Sequence, residues 1–509
     1  MSLEADSPDS PAPAPAPAPA PRPLEAGRIE LSDGGALVLG PEGFRRVDLD
    51  GEGRTIHAYE SIGHVYASAR VLLIGTEDDL ISLREGDLVS GDPEAERARL
   101  LEAIRAHPQG NGILESIGEV ERLGKTEGPA WVIWGVVALC VIGAGFQIAD
   151  RLFDQVGIFV TELFLRGEYW RAVTMHFLHD VSATPDFLQP LLPMLPGLPV
   201  HMALNMAGML LLGHLVERPL GPWRTAIVLA AAGVGTLVGL FVFDHGRVLG
   251  ASGLVSGLAG AMLALELHFA RWMPAYWRIP RRILIGLLLL QFAVIDRVLA
   301  QLVAGGAHLG GFAGGYVATR LLGRPSVEGL HPAPGVRAVA LGAVAMLVIG
   351  LAGAWPLARN DLAALERHAL RVANLPFDYF RPGYDNAAAW LISISEGASQ
   401  DQLDLAVALA ERAVNDTAGL NPSVLDTLAE ALFQRGDAEA SLYAIDAAIA
   451  LAPNEPYFRE QRRRFTGERD PDDRPPEPGT PLPKRFEPAA EGEATGDAGE
   501  GAPLPDPGA

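Results

Sequence analysis

Between Trp131 and Leu357 the chain runs through long apolar stretches separated by short polar connections, and nothing else in its 509 residues constrains the fold as strongly. In a bilayer, backbone N–H and C=O groups must be satisfied within the protein, so such stretches fold as spanning helices. At about 20 residues per crossing, the spacing predicts seven crossings, near 130–148, 199–216, 225–243, 250–270, 282–296, 298–321 and 336–357. The connections 271–282 and 320–337 carry arginines with no acidic balance beyond Glu328, which places both in the cytoplasm by the positive-inside rule. The amino terminus then lies in the cytoplasm. An odd number of crossings puts the carboxyl-terminal block on the opposite side, unless the last run fails to span.

Composition changes on either side of this region. Residues 1–26, in which Pro and Ala alternate through "PAPAPAPAPA" (11–20), are predicted to form a disordered, extended spacer. They lack the basic start and uninterrupted apolar core of a secretory signal. Residues 27–109 alternate short β-type runs with turn clusters such as "SDGG" and "DGEG", then close with a helix in which Asp92 is the N-cap and Pro93 the first residue. Strands followed by one closing helix resemble pleckstrin-homology-like modules at the level of fold. In the Ala-rich helical block 360–465, Trp390, Ala406 and Ala413 recur 35 residues later as Leu425, Ser441 and Ala448. Gly436 and Pro453 fall where a tetratricopeptide repeat turns and ends, so this block reads as tetratricopeptide-like, with an ordinary helical hairpin as the alternative. Residues 466–509 are rich in Pro, Gly and acid and are predicted to be disordered. The net charge of −22 argues against nucleic acid as a partner. The single cysteine, Cys140, cannot form an intrachain disulfide.

Polar groups inside membrane spans are costly and so mark function. The second crossing carries His201 and Asn205 one turn apart on one face, the fourth carries Ser252 and Ser256, and the sixth carries His308. Ala307, Gly311 and Gly315 form a small-residue ridge in the sixth crossing. Gly253 with Gly257, and Ser256 with Gly260, do the same in the fourth. Such ridges let helix backbones approach closely in lipid. That approach would bring Ser252 within hydrogen-bond reach of His308, about 2.6–3.2 Å, as an activated nucleophile requires.

The stretches "GEYWRAVT" (167–174), "HMALN" (201–205), "ERPLG" (217–221), "GASG" (250–253) and "AHLGG" (307–311) stand in the order seen in rhomboid intramembrane serine proteases. The resemblance covers about 129–325, and the last crossing completes a six-plus-one membrane domain over 129–358. It implies a polytopic α-helical membrane protein that uses a Ser–His dyad. Ser252 is then the nucleophile and His308 the general base and later acid, while His201 and Asn205, with the nucleophile's own N–H, stabilise the oxyanion. Trp170 and Arg171 shape the first loop. A neutral imidazole suits a low-dielectric site, and no third, acidic member is expected in reach on these spans. No cofactor is implied, and no metal, because His176 and His179 lack a further ligand at zinc-like spacing.

The implied substrates are transmembrane segments of other proteins in the lipid bilayer, in a bacterial plasma membrane, with a protein partner for residues 360–465. Two departures stand out. Ser256 occupies a place where the family has an aromatic ring, and a Pro-rich insertion separates "TMHFLHD" (174–180) from His201. A non-catalytic rhomboid-like scaffold that captures membrane clients is the alternative reading. A transporter is excluded for want of intramembrane charge and inverted repeats.

Overall fold

A computed structural model describes residues 27–49, 53–126, 128–149, 153–181, 199–243, 246–298, 304–378 and 380–476. The Pro/Ala-rich start, residues 182–198 of the Pro-rich insertion and the tail from 477 onward lie outside the described residues. The chain divides into two units, Met1–Asp361 and Leu362–Ala509.

The first unit opens with two antiparallel sheets whose strands follow sequence order. One holds β1 (Gly27–Glu30), β2 (Ala36–Leu39), β3 (Gly43–Val47) and β4 (Gly53–Ala58); the other holds β5 (Ile62–Ser68), β6 (Val71–Thr76) and β7 (Leu80–Arg84). Helix α1 (Pro93–Ala106) starts where the sequence places it. The Asp92 carboxylate accepts the backbone N–H groups of Glu94 and Ala95, both at 3.1 Å. A second helix, α2 (Gly110–Gly124), extends beyond the expected boundary at 109. Its Ile113 and Ile117 join Leu100 and Ile104 of α1 in the core under the sheets, and its Leu123 belongs to the core of the membrane domain.

The membrane domain comprises α3 (Trp131–Ala149), α4 (Val200–Val242), α5 (Ser252–His268), α6 (Arg281–Leu289), α7 (Gly305–Leu322) and α8 (Pro334–Ala358). A π-helical turn, Leu290–Ile295, and a final turn, Asp296–Val298, continue α6. Helices α3, α4 and α8 are long and apolar enough to cross a membrane. The 43 residues of α4 would measure about 65 Å, twice a hydrocarbon core of about 30 Å, and the helix breaks between Pro219 and Pro222 at Gly221 (φ 77°, ψ 167°). The fourth predicted run, begun at 250, starts as helix only at Ser252, and the sixth starts at Gly305.

Helix α7 lies between α4 and α5 and meets both through glycine. A Cβ on Gly311 would overlap the Gly253 carbonyl oxygen of α5, and one on Gly310 would overlap the Gly235 carbonyl oxygen of α4. Without a hydrophobic drive between helices in lipid, this contact is made by backbone packing. The Gly311 ridge was legible in the sequence; the opposite ridge on α4 was not singled out.

The connection between α5 and α6 seats the β-rich module. Arg278 pairs with Glu266 near the end of α5 at 3.0 Å, with both side chains buried, and donates to the Thr76 carbonyl at 2.7 Å. Arg281 donates to the carbonyls of Glu77 and Glu266, each at 3.0 Å. The backbone N–H of Ala275 donates to His64 Nδ1 at 3.1 Å. The arginines read as unbalanced in the sequence are therefore balanced in part by Glu266, an ionisable group inside the predicted fourth crossing that the sequence reading did not count.

Burial pushes the His64 imidazole down to about 4 from its ordinary 6.5. Only the neutral ring accepts from Ala275 at Nδ1. Because the folded value lies below the unfolded one, the stabilisation is complete above about 6.5 and is lost as pH falls towards 4, on the order of 3 kcal/mol in all. Amide exchange at Ala275, corrected for its intrinsic rate, is expected to accelerate across that window while strand amides within β2 do not. Parallel behaviour of both sites would contradict this.

The second unit is helical: α9 (Leu362–Ala373), α10 (Arg381–Ser393), α11 (Gln400–Asp416), α12 (Pro422–Arg435), α13 (Ala438–Leu451) and α14 (Pro456–Phe465), each packed on the next. Trp390, Ala406, Ala413, Leu425, Ser441 and Ala448 are all buried. Gly436 ends α12 in the left-handed region at φ 97°. Residues 466–476 do not run free as the sequence suggested: Arg474 returns to pair with the buried Glu430 at 2.9 Å.

Candidate active site

Ser252 is the first residue of α5, and the segment before it is held from several sides. Arg247–Val248 pairs with Phe159–Val160, Gly250 N–H donates to the Met175 carbonyl at 2.8 Å, and Ala251 N–H donates to His179 Nε2 at 3.4 Å. Gly250 has φ 122°, which favours glycine, and a Cβ there would stand 2.8 Å from His201 Cε1.

The loop that supplies these partners is itself pinned by Arg171. Its guanidinium pairs with Glu168 at 2.6 Å and donates to the carbonyls of Ile158 at 2.6 Å and Gln155 at 2.7 Å. Trp170 Nε1 donates to the Val156 carbonyl at 3.0 Å. Trp170 and Arg171 thus hold the backbone of this loop.

His201 and Asn205 lie on the face of α4 next to Gly250. His201 Nδ1 accepts the backbone N–H of Asp180 at 3.2 Å. A ring that accepts at Nδ1 carries its proton on Nε2, and Nε2 is an atom that borders Gly250. Asn205 donates one amide hydrogen to the His201 carbonyl at 2.9 Å, leaving its second donor for another acceptor.

His308 is buried in the first turn of α7, one turn before the Gly311–Gly253 contact. The same contact lies one residue after Ser252, so the two side chains stand at adjoining ends of touching helices. Among the described residues Ser252 Oγ makes no hydrogen bond, to His308 or otherwise. Catalytic hydrogen bonds commonly tighten only when substrate is bound. Ser256, one turn along α5, is buried.

An acidic partner for His308 does exist, which corrects the sequence reading. His308 Nδ1 lies 3.0 Å from Asp296 Oδ1 and 3.2 Å from Oδ2. Gln291 Nε2 donates to the same Oδ1 at 2.7 Å. Asp296 follows directly on the π-helical turn, a feature that re-aims the side chains after it, and it closes the run predicted as the fifth crossing. An acidic residue ending an apolar run shortly before a candidate base was the signal available in the sequence.

A model of the rhomboid domain matches residues 195–325, which contain Ser252, His308, His201, Asn205 and Asp296. The chain is similar to the rhomboid protease GluP of Bacillus subtilis (strain 168), at 28% identity over 167 residues. That match takes in 32% of this chain and 28% of the relative's length. No solved structure matches the chain significantly. The contiguous match over the helices that carry the candidate residues shows a rhomboid domain at 195–325, in a chain that is an integral membrane protein.

Proposed function

We propose that the chain is an intramembrane serine endopeptidase acting on transmembrane segments of other membrane proteins. The observation that carries this reading is the placement of Ser252 and His308 at adjoining helix ends whose backbones touch at Gly253 and Gly311, beside donors of His201 and Asn205. In the reaction, Ser252 Oγ attacks the scissile carbonyl and its proton passes to His308 Nε2. The tetrahedral oxyanion takes hydrogen bonds from His201 Nε2–H, the Asn205 amide and the backbone N–H of Ser252. His308 then gives its proton to the leaving amine, and water, activated by the same imidazole, releases the acyl group.

A helical substrate shields its peptide bonds, so segments weakened by Gly or other small residues are the expected class. The seven apolar runs serve as a six-plus-one set of crossings, with α4 supplying two on either side of Gly221. The contact between the β-rich module and the Arg-rich 270–281 connection supports placing both on the cytoplasmic side. The module serves as a pleckstrin-homology-like domain and α10–α13 as a tetratricopeptide-like pair for a protein partner. The membrane is the bacterial plasma membrane.

The reading is tested by reconstituting the full chain in liposomes with a single-span substrate whose transmembrane segment carries a Gly–Ala stretch. Wild type is expected to cut within or beside that segment, and His308→Ala to leave it intact. Equal cleavage by both would contradict the reading.

A further inference from the structure

We infer that Asp296 is a positioning residue for His308, so that the site works as a Ser252–His308–Asp296 relay of orientation, an inference that rests on the serine-protease reading above. Both Asp296 (7% exposed) and His308 (6% exposed) are withdrawn from solvent. Their contact at 3.0 and 3.2 Å involves the ring nitrogen that the nucleophile does not use.

The chemistry of the pair fixes the tautomer. A carboxylate only accepts hydrogen bonds, so the proton of the resting imidazole sits on Nδ1 and the lone pair of Nε2 is left free to accept the Ser252 proton. When Nε2 takes the Ser252 proton, the imidazolium is stabilised by the adjacent carboxylate; Asp296 itself takes no proton, and the proton on Nε2 leaves with the amine.

Two further observations give this contact a purpose beyond tying two helices together. Ser256 is a hydroxyl where the resemblance leads one to expect an aromatic ring, and among the described residues no aromatic ring packs on the His308 imidazole, so the Asp296 contact is what sets its plane. The carboxylate is oriented in turn: Gln291 donates to Oδ1 at 2.7 Å. Base, orienting group and a partner that fixes the orienting group thus stand in one chain of hydrogen bonds, which is the logic of an activated nucleophile.

The test uses the full chain in detergent and a fluorophosphonate probe, followed as rate against probe concentration. Asp296→Asn keeps shape and hydrogen-bonding capacity but removes the charge and the obligatory acceptor. It is expected to lower the limiting labelling rate by about 10²- to 10⁴-fold, with half-saturation by the probe and thermal unfolding unchanged. Asp296→Glu, which restores a carboxylate, is expected to recover part of the rate. A limiting rate for Asp296→Asn equal to wild type would overturn the inference while leaving the protease reading intact. A wild type that labels no faster than Ser252→Ala would remove both. If Asp296→Asn fails to fold, nitrogen NMR of the wild type labelled at histidine decides: His308 must carry its resting proton on Nδ1, and a proton on Nε2 would overturn the inference.

Discussion

Alanine at position 252 is expected to reduce peptide-bond hydrolysis by about 10⁴-fold or more and to leave the fold as stable as before. The second half of that expectation comes from the structure. Ser252 Oγ makes no hydrogen bond among the described residues, so its removal strands no buried partner, and the start of α5 is held instead by the backbone groups of Gly250 and Ala251. Loss of activity without loss of stability is the signature of a group needed only by the transition state. The measurement pairs cleavage of the Gly–Ala substrate in liposomes with thermal unfolding in detergent. A variant that unfolds early would instead assign Ser252 a packing role.

Leucine at position 311 is expected to act in the opposite way, preventing α5 and α7 from meeting. Any Cβ there falls on the Gly253 carbonyl oxygen, and Thr236 Oγ1 would stand 2.9 Å away. The obstacle on α5 is backbone, which cannot rotate aside, so the helices must separate along the seam that joins Ser252 to His308. The cost is about 3 kcal/mol by analogy with overpacked cores, and in lipid no hydrophobic gain offsets it. Unfolding in mixed detergent micelles should occur at clearly lower denaturing-detergent fraction than for wild type, with labelling of Ser252 lost. Leucine at Gly286, where a Cβ meets nothing within 4 Å, is the matched control and should change neither.

These expectations also mark what the sequence could and could not convey. Ser252, His308, His201 and Asn205 stood out as candidates because polar groups are conspicuous in apolar runs; His201 and Asn205 border Gly250, and the glycines one residue after Ser252 and three after His308 touch. Asp296 was passed over. It ends an apolar run and looks like a boundary residue; only the π-helical turn before it and its packing against the start of α7 aim it at His308, and hydropathy carries no trace of either. Glu266 was missed for a related reason. Its partner Arg278 was read as a signal of membrane sidedness, whereas the structure buries the two together against Thr76.

Local signals fared better than long-range ones. The Asp92 cap and the left-handed Gly436 depend on a few neighbouring residues and stand where expected. The docking of β5 and β6 on the 270–281 connection joins positions about 200 apart in sequence, as in Arg278 with Thr76. No pattern within either segment announces it. Helix α2 carried a readable apolar face in Ile113, Ile117 and Val120 but was hidden by ending the module at 109.

The most direct measurement is the position of the covalent adduct left by a fluorophosphonate on the full chain. After labelling in detergent and proteolytic digestion, mass spectrometry is expected to find the phosphonate on Ser252, and Ser252→Ala and His308→Ala to carry none. An adduct on another serine, Ser256 included, or undiminished labelling of Ser252→Ala, would contradict the assignment of Ser252 as the nucleophile.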